Sequence, residues 1–423
     1  RARPEAVSGE PTPALVLSGG GARAAYQVGI LRYIGQRRPG CKFPILSGVS
    51  AGAINIAHLA SHTGGAGPAT AELARHWSRL ETTDIFRSDP LSVASTAVRW
   101  VTTLASGRRH VGPEARSLVD TRPLRQTLDS LLDMSGVEEN LERGRVRAAA
   151  ISATSYQTGR TVTFVHGSPD VSLWDHPQRR AVRDQLTVDH VMASSALPLI
   201  FPAEQVGRQY FGDGSIRQSA PLAPAVHLGA DRILSVSARY DRSVEEAEVP
   251  AVESGYPPPA QVLGLLFNNI FLDALDDDAA RLQRINELLE SCDRWDRDVE
   301  ELRKVELMVL RPSEDLGLLA TEYRDDLPRM VRFLVSGLEK GRHRTSDFVS
   351  YLLFEPGYLT RIMELGEKDA EDQWPRIRDF LGWKEEDCRP PPGEAADAPA
   401  RGEAGQPAGA DRTDGPDRRG QAP

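Results

Sequence analysis

The residues best placed for chemistry in this sequence are a serine and an aspartate, each framed by glycine. Gly48-Val49-Ser50-Ala51-Gly52 is a G-x-S-x-G pentapeptide that follows the apolar run 43–46 and opens the small-residue stretch 51–62. Strand, tight turn, helix is the setting a nucleophile elbow requires. The flanking glycines let two chain segments crowd together, the hydroxyl stands at the strand end, and the next amide, that of Ala51, points into the same space. A serine hydroxyl attacks only when a base takes its proton. His227 and His343 come late enough for a Ser, Asp, His order, but neither lies in a glycine-framed or strand-end setting. Asp213, in Phe211-Gly212-Asp213-Gly214-Ser215, does lie in one, and its glycines allow a close approach to another loop. On spacing alone the same residues also fit an ordinary Asp-Gly turn.

A second glycine turn precedes the serine. Leu15-Val16-Leu17-Ser18 runs into Gly19-Gly20-Gly21-Ala22-Arg23-Ala24, a strand feeding a helix through glycines, which brings backbone amides and a helix N-terminus toward a negative charge. Gly19, Gly21 and Ala24 also satisfy the dinucleotide pattern G-x-G-x-x-G/A, but that use needs an acidic residue some 20 positions on to hold the ribose. From Pro11 to Ala71 there is none. Arg23 is an unfavourable cation near a helix start and so has a specific reason to be there, either bracing the loop or meeting a phosphate.

Four motifs in this order, G-G-G-x-R (Gly19 to Arg23), G-x-S-x-G (Gly48 to Gly52), A-S-x-A-x-P (Ala193, Ser194, Ala196, Pro198) and D-G-S (Asp213, Gly214, Ser215), make the sequence resemble the patatin-like phospholipases. The resemblance extends over about residues 14–228. It implies a three-layer α/β/α fold and a Ser-Asp dyad that cleaves acyl esters of lipids through an acyl-enzyme, with no cofactor. Carried over by position, it assigns the nucleophile to Ser50, the base to Asp213, and the oxyanion hole to Gly19, Gly20 and Gly21 with Ala51; Arg23, Gly48, Gly52, Gly214 and Ser215 support the motifs. Ser215 departs from the Gly or Ala usual at that place, which bears on fine geometry more than on chemistry. The implied partner is a phospholipid or other acyl-ester lipid, met with peripheral membrane contact. A broad esterase or thioesterase and a catalytically silent lipid-binding relative are the alternatives.

The elements that must position these residues follow from hydropathy. Apolar runs at 14–17, 43–46, 146–153, 161–165, 208–211 and 232–237 are strand candidates, and helical patterns at 22–37 and 51–62 alternate with the first of them, so an α/β sheet covered on both faces is expected. The expected organisation is a flexible start (1–13), a catalytic domain (14–238), a Pro-rich acidic excursion (239–259), a mainly helical portion packed on the catalytic domain (260–388) with one late strand at 305–310, and a disordered tail (389–423) without Leu, Ile, Val or aromatic residues. In the helical portion, Leu263, Phe267, Ile270 and Phe271 form a stripe that suits core packing better than membrane docking, because Asp276, Asp277 and Asp278 follow it directly.

Composition narrows the function classes. With 423 residues, 40% hydrophobic, 26% charged and net charge −9, the sequence belongs to a globular protein, and an acidic balance without a basic, aromatic-interleaved patch argues against nucleic acid as a partner. No run of eighteen apolar residues is present. Cys41, Cys292 and Cys388 are too few and too far apart for a disulfide framework or a zinc site, and the first residues lack a signal-peptide core, so a cytoplasmic location, peripheral at a membrane, is expected. No metal-binding motif is present.

Overall fold

The computed structural model describes residues 11–87, 117–248, 259–291, 302–338 and 347–390. The described residues up to Arg389 form one compact unit; the Pro- and Gly-rich tail from residue 391 lies outside the described residues.

Among the described residues, nine strands share one sheet: β1 (Pro13–Leu17), β2 (Ile45–Val49), β3 (Ala148–Ser155), β4 (Thr161–Gly167), β5 (Arg179–Arg183), β6 (Glu204–Val206), β7 (Gln209–Asp213), β8 (Arg232–Val236) and β9 (Glu306–Leu310). The order β5-β4-β3-β2-β1-β8-β9 is parallel from β3 through β9, while β4 and β7 both pair antiparallel with β3. Strands buried on both faces read as unbroken apolar runs, and their alternate side chains separate into two layers. Leu15, Leu17, Leu46, Ala149 and Ile151 belong to one; Ala14, Val16, Ile45, Ala148 and Ala150 belong to the other. Helices α1 (Ala25–Arg37), α2 (Ala51–Ser61) and α3 (Val188–Ser194) cover the first face. The short helix Ala223–His227 and the start of α5 (Ala274–Ser291) cover the second. This is the three-layer α/β/α sandwich.

The segments after residue 259 are built into it. Helix α4 (Pro259–Asn268) runs through a π-helical turn at Asn269–Asp273 into α5. β9 extends the sheet beyond β8, α6 (Asp347–Leu352) packs on the first glycine turn, and α7 (Pro356–Asp372) lies along α1, where the Tyr26 hydroxyl donates to Asp369 Oδ2 at 2.9 Å. Phe267 and Phe271 are buried against Tyr351 of α6, so this pair is core; Leu265 and Leu266 on the other side of α4 are exposed. Among the described residues, no helix is long and apolar enough to cross a membrane.

Boundaries moved where small residues carry strands. β2 runs to Val49, beyond the Leu46 suggested by hydropathy, because Ser47 and Gly48 pair with β1 on one side and β3 on the other. Strand β5 has no apolar run; its Arg-rich sequence is half-exposed and is held by pairing with β4.

Candidate active site

β3 brings the serine and the aspartate together by register. Its Ser152 pairs with Val49, the last residue of β2, and its next residue, Ala153, pairs with Asp213, the last residue of β7. The residue after Val49 is therefore delivered beside Asp213 at a common strand end. Ser50 takes φ 54° and ψ −132°, outside the regions open to ordinary residues, and forms the N-cap of α2. Holding it there costs on the order of 1–3 kcal/mol. The surrounding contacts explain how it is held. Gly48 and Gly52 are pressed together, since a Cβ on Gly48 would sit 2.6 Å from the Gly52 carbonyl oxygen and one on Gly52 would sit 2.5 Å from the carbonyl oxygens of Leu17 and Ser18. Ser194 of α3 then locks the turn. Its hydroxyl accepts the Ser50 amide at 2.9 Å and donates to the Ser152 carbonyl at 2.6 Å, all of it buried. Replacing Ser194 with Ala strands both groups, so Ser194→Ala is expected to lose about 2 kcal/mol in denaturant unfolding and to slow acylation of Ser50 by about tenfold.

Asp213 is fully buried. Its Oδ1 accepts the Ser215 amide at 2.9 Å, while Oδ2 has no hydrogen-bond partner. Burial pushes this carboxyl up to about 6, opposed by the Ser50 hydroxyl, the Ser215 amide and the Ser215 hydroxyl, all of which favour the ionised form. The two hydroxyls thus favour the charge of a carboxylate whose Oδ2 makes no hydrogen bond. Gly214 lies against Val49 and the Ser152 carbonyl, which keeps the aspartate turn flush with the elbow. The Ser215 hydroxyl has no partner of its own and sits against Gly19. It adds a second hydroxyl at the carboxylate where Gly or Ala would add none.

The first glycine turn closes the third side. A Cβ on Gly19 would lie 3.1 Å from Ser50 Cβ and 3.2 Å from Phe271. Gly21 takes φ 54° with the Tyr351 carbonyl directly behind it, so no side chain fits there. Among the described residues, the amides of Gly20, Gly21 and Ala51 make no intramolecular hydrogen bond, and Gly21 and Ala51 are each the first residue of a helical segment.

Arg23 is engaged by α6. It is buried, pairs with Asp347 Oδ1 at 3.0 Å, donates from Nε to Ser350 Oγ at 2.7 Å, and stacks on the Tyr351 ring with its guanidinium carbon 4.4 Å from the centroid. Sequence alone could not find these partners, which lie more than 320 positions away. Arg23→Met should cost about 3 kcal/mol, the loss of one partner of a largely buried pair, read as a fall in the chemical-denaturation midpoint. Arg23→Lys keeps the charge but not the fork to Ser350 and should recover only part of it.

Ser50 and Ala51 open on an apolar cavity of about 50 Å³ lined by Ile54, Trp77, Leu124, Leu128, Phe201 and Phe354. Two larger cavities exist elsewhere, and Ser50 lines neither of them. Ser195, buried with an unpartnered hydroxyl, lines the cavity, as does His76, whose Nε2 lies 3.9 Å from Glu72. Neither was singled out in the sequence; Ser195 sits beside the motif serine Ser194, which was the available signal. Of the other histidines considered, His227 stacks on Trp174 on the second face, away from this cavity, and His343 lies outside the described residues.

A patatin-like phospholipase family model matches residues 15–226, half of the chain. The chain belongs to the patatin-like phospholipase family. No curated protein matches it. Among solved structures, VipD from Legionella pneumophila is 12% identical, with 88% of this chain and 67% of that one covered and a TM-score of 0.30. Human GIVD cytosolic phospholipase A2, in complex with methyl gamma-linolenyl fluorophosphonate, is 14% identical, with 88% of this chain covered and a TM-score of 0.42. The patatin-like chain spans 58% of the length of that human chain. The family match includes both Ser50 and Asp213, together with the glycine turn ahead of them.

Proposed function

We propose that this patatin-like protein is a lipid acyl hydrolase of the phospholipase A type, with Ser50 as nucleophile and Asp213 as its base. The observation that carries the reading is a serine held at a strained elbow, beside a buried carboxylate with one unpaired oxygen, at the mouth of an apolar cavity. Asp213 Oδ2 takes the Ser50 proton as Oγ attacks the ester carbonyl. The oxyanion that forms is met by the amides of Gly19, Gly20, Gly21 and Ala51, with the first turn of α2 adding its positive end. Collapse expels the lysolipid alcohol, which takes the proton from Asp213, and leaves the acyl chain on Ser50 facing the apolar lining. Water, deprotonated by the same carboxylate, then releases the fatty acid.

A carboxyl that titrates near 3.8 in water is a poor partner for a serine, and burial to about 6 brings it closer to the operating range. The base is competent only when ionised, so the rate of Ser50 acylation should fall as pH drops through about 6. Ser215→Ala removes a hydroxyl that favours the ionised form, and should move this acid limb upward. A pH series of acylation rates on both proteins checks the position and the sign together; an acid limb unmoved in Ser215→Ala, or moved down, would contradict the assignment. The substrate proposed is a phospholipid or related acyl-ester lipid, reached by peripheral contact with its surface, and the reaction is proposed to require no cofactor.

The experiment for the reading as a whole is release of fatty acid and lysophospholipid from mixed phospholipid vesicles, against soluble short-chain esters and thioesters. Preferential turnover of the vesicles supports the phospholipase reading. Turnover of the soluble esters alone would replace it with a broad esterase.

A further inference from the structure

On the opposite face of the sheet from Ser50, a cavity of about 440 Å³ opens between a tight turn ahead of β5 and the segment that follows the aspartate turn. Its floor is Thr161 and Thr163 of β4, which alternate with Val162 and Phe164 of the Ser50-side layer, and Trp174, which belongs to the other layer. The first wall is fixed by paired backbone bonds between His176 and Arg179, at 2.8 and 3.2 Å, and by the Thr161 amide donating to the Gln178 carbonyl at 3.0 Å. In the second wall, Arg217 Nε donates to the Gly159 carbonyl at 3.2 Å, and the Arg217 carbonyl accepts the Thr161 hydroxyl at 3.0 Å.

The charge of this cavity is one-sided. Arg179, Arg217 and His176 line it, no Asp or Glu does, and among the described residues no carboxylate lies within ion-pair distance of either arginine. Asp278, whose charge is felt by Arg179, is already engaged by the Leu222 amide at 2.9 Å and by Arg281 at 3.7 Å. Gln218, which lines the same cavity, is only 7% exposed, and its Oε1 has no hydrogen-bond partner. A buried acceptor left unpaired is costly, and two guanidinium groups without counter-charge, Arg179 half-buried and Arg217 exposed at the rim, are the groups with which a protein recognises phosphate. The volume falls in the range of small-molecule sites.

We propose that this cavity is a second binding site, for a phosphate ester that carries a free hydroxyl. Arg179 and Arg217 take the phosphate from opposite walls, the ligand hydroxyl donates to Gln218 Oε1, and the ligand's carbon skeleton lies on Trp174. The site is separate from the acyl-hydrolase reading and stands whether or not that reading holds. It lies, however, at the far end of the turn Gly214–Ile216 that begins at Asp213, so a bound ligand is joined to the base through three residues of chain.

Glycerol 3-phosphate in solution and the phosphatidylglycerol head group share this chemistry, and the test separates them. Isothermal titration of the full chain with glycerol 3-phosphate and with inorganic phosphate, and sedimentation with phosphatidylcholine vesicles with and without phosphatidylglycerol, are each run on wild type, Arg179→Gln/Arg217→Gln and Gln218→Leu. The vesicle arm carries Ser50→Ala throughout to prevent turnover. Saturable binding of the soluble ester that weakens by at least about tenfold in the double variant, with unchanged thermal unfolding, is the expected result and identifies a free phosphate ester. Arginine-dependent binding found only with phosphatidylglycerol vesicles identifies a lipid head group and equally supports the site. Gln218→Leu should weaken glycerol 3-phosphate several-fold and leave inorganic phosphate unchanged. Arg217→Lys, which keeps the charge, serves if the double variant unfolds, and should retain part of the affinity. Absence of binding in both arms, or binding that is the same in the arginine variants, overturns the proposal.

Discussion

Ser50→Ala is expected to lower fatty-acid release from phospholipid vesicles by at least about a thousandfold, leaving the residual rate that positioning and oxyanion contacts alone provide. The expected cost to the fold is small. Ser50 is only 3% exposed, but its backbone amide, which donates to the Ser194 hydroxyl, is kept by alanine, and alanine meets the same backbone strain at φ 54°. Stability within about 0.5 kcal/mol of wild type, read by denaturant unfolding, should accompany the loss. Activity that survived in a folded Ser50→Ala protein would remove the nucleophile from the account.

Asp213→Asn should separate activity from stability. Removing the base is expected to slow acylation by at least about a thousandfold. The same change removes a buried charge. Below about pH 4 the carboxyl is protonated in both folded and unfolded chains, and burial costs it little. As pH rises from about 4 to about 6, the unfolded chain gives up this proton and the folded chain retains it, so the wild-type fold loses stability through that window. Above about 6 the full penalty is present, on the order of 3 kcal/mol. Asparagine keeps the acceptor for the Ser215 amide and never ionises. The variant should therefore be more stable than wild type at neutral pH by up to about 3 kcal/mol, with the difference shrinking to nothing near pH 4. Unfolding at the two pH values checks it; a variant less stable than wild type at pH 7 would mean that the carboxylate is held by favourable contacts in place of being strained by burial.

The site was legible where chemistry and backbone geometry share a short window. Gly48 to Gly52 encodes a strand end, a crowded turn and a helix start within five residues, and Asp213 sits between glycines at the end of a strand. What brings the two together was not legible, because it is a register on β3: Ser152 against Val49 and Ala153 against Asp213 are set by pairing at the ends of strands, where small and polar residues give no hydropathy signal of where the strand stops. The same holds for Arg23. A buried Arg23 announces a need for a partner, but Asp347, Ser350 and Tyr351 are supplied by a helix that the sequence pattern joins to nothing nearby. The late strand β9 and helices α6 and α7 complete the sheet edge and back the glycine turn, so the segments after residue 259 serve the site structurally even though they carry no motif.

The central claim is that Ser50 is a nucleophile whose proton goes to Asp213. Its most direct test is intact-mass analysis and peptide mapping after reaction with a fluorophosphonate, run across pH on wild type, Ser50→Ala and Asp213→Asn. A single adduct on Ser50, forming more slowly as pH falls through about 6, absent from Ser50→Ala and strongly slowed in Asp213→Asn, is the predicted result. An adduct on another residue, or labelling of Ser50 at the wild-type rate in Asp213→Asn, would contradict it.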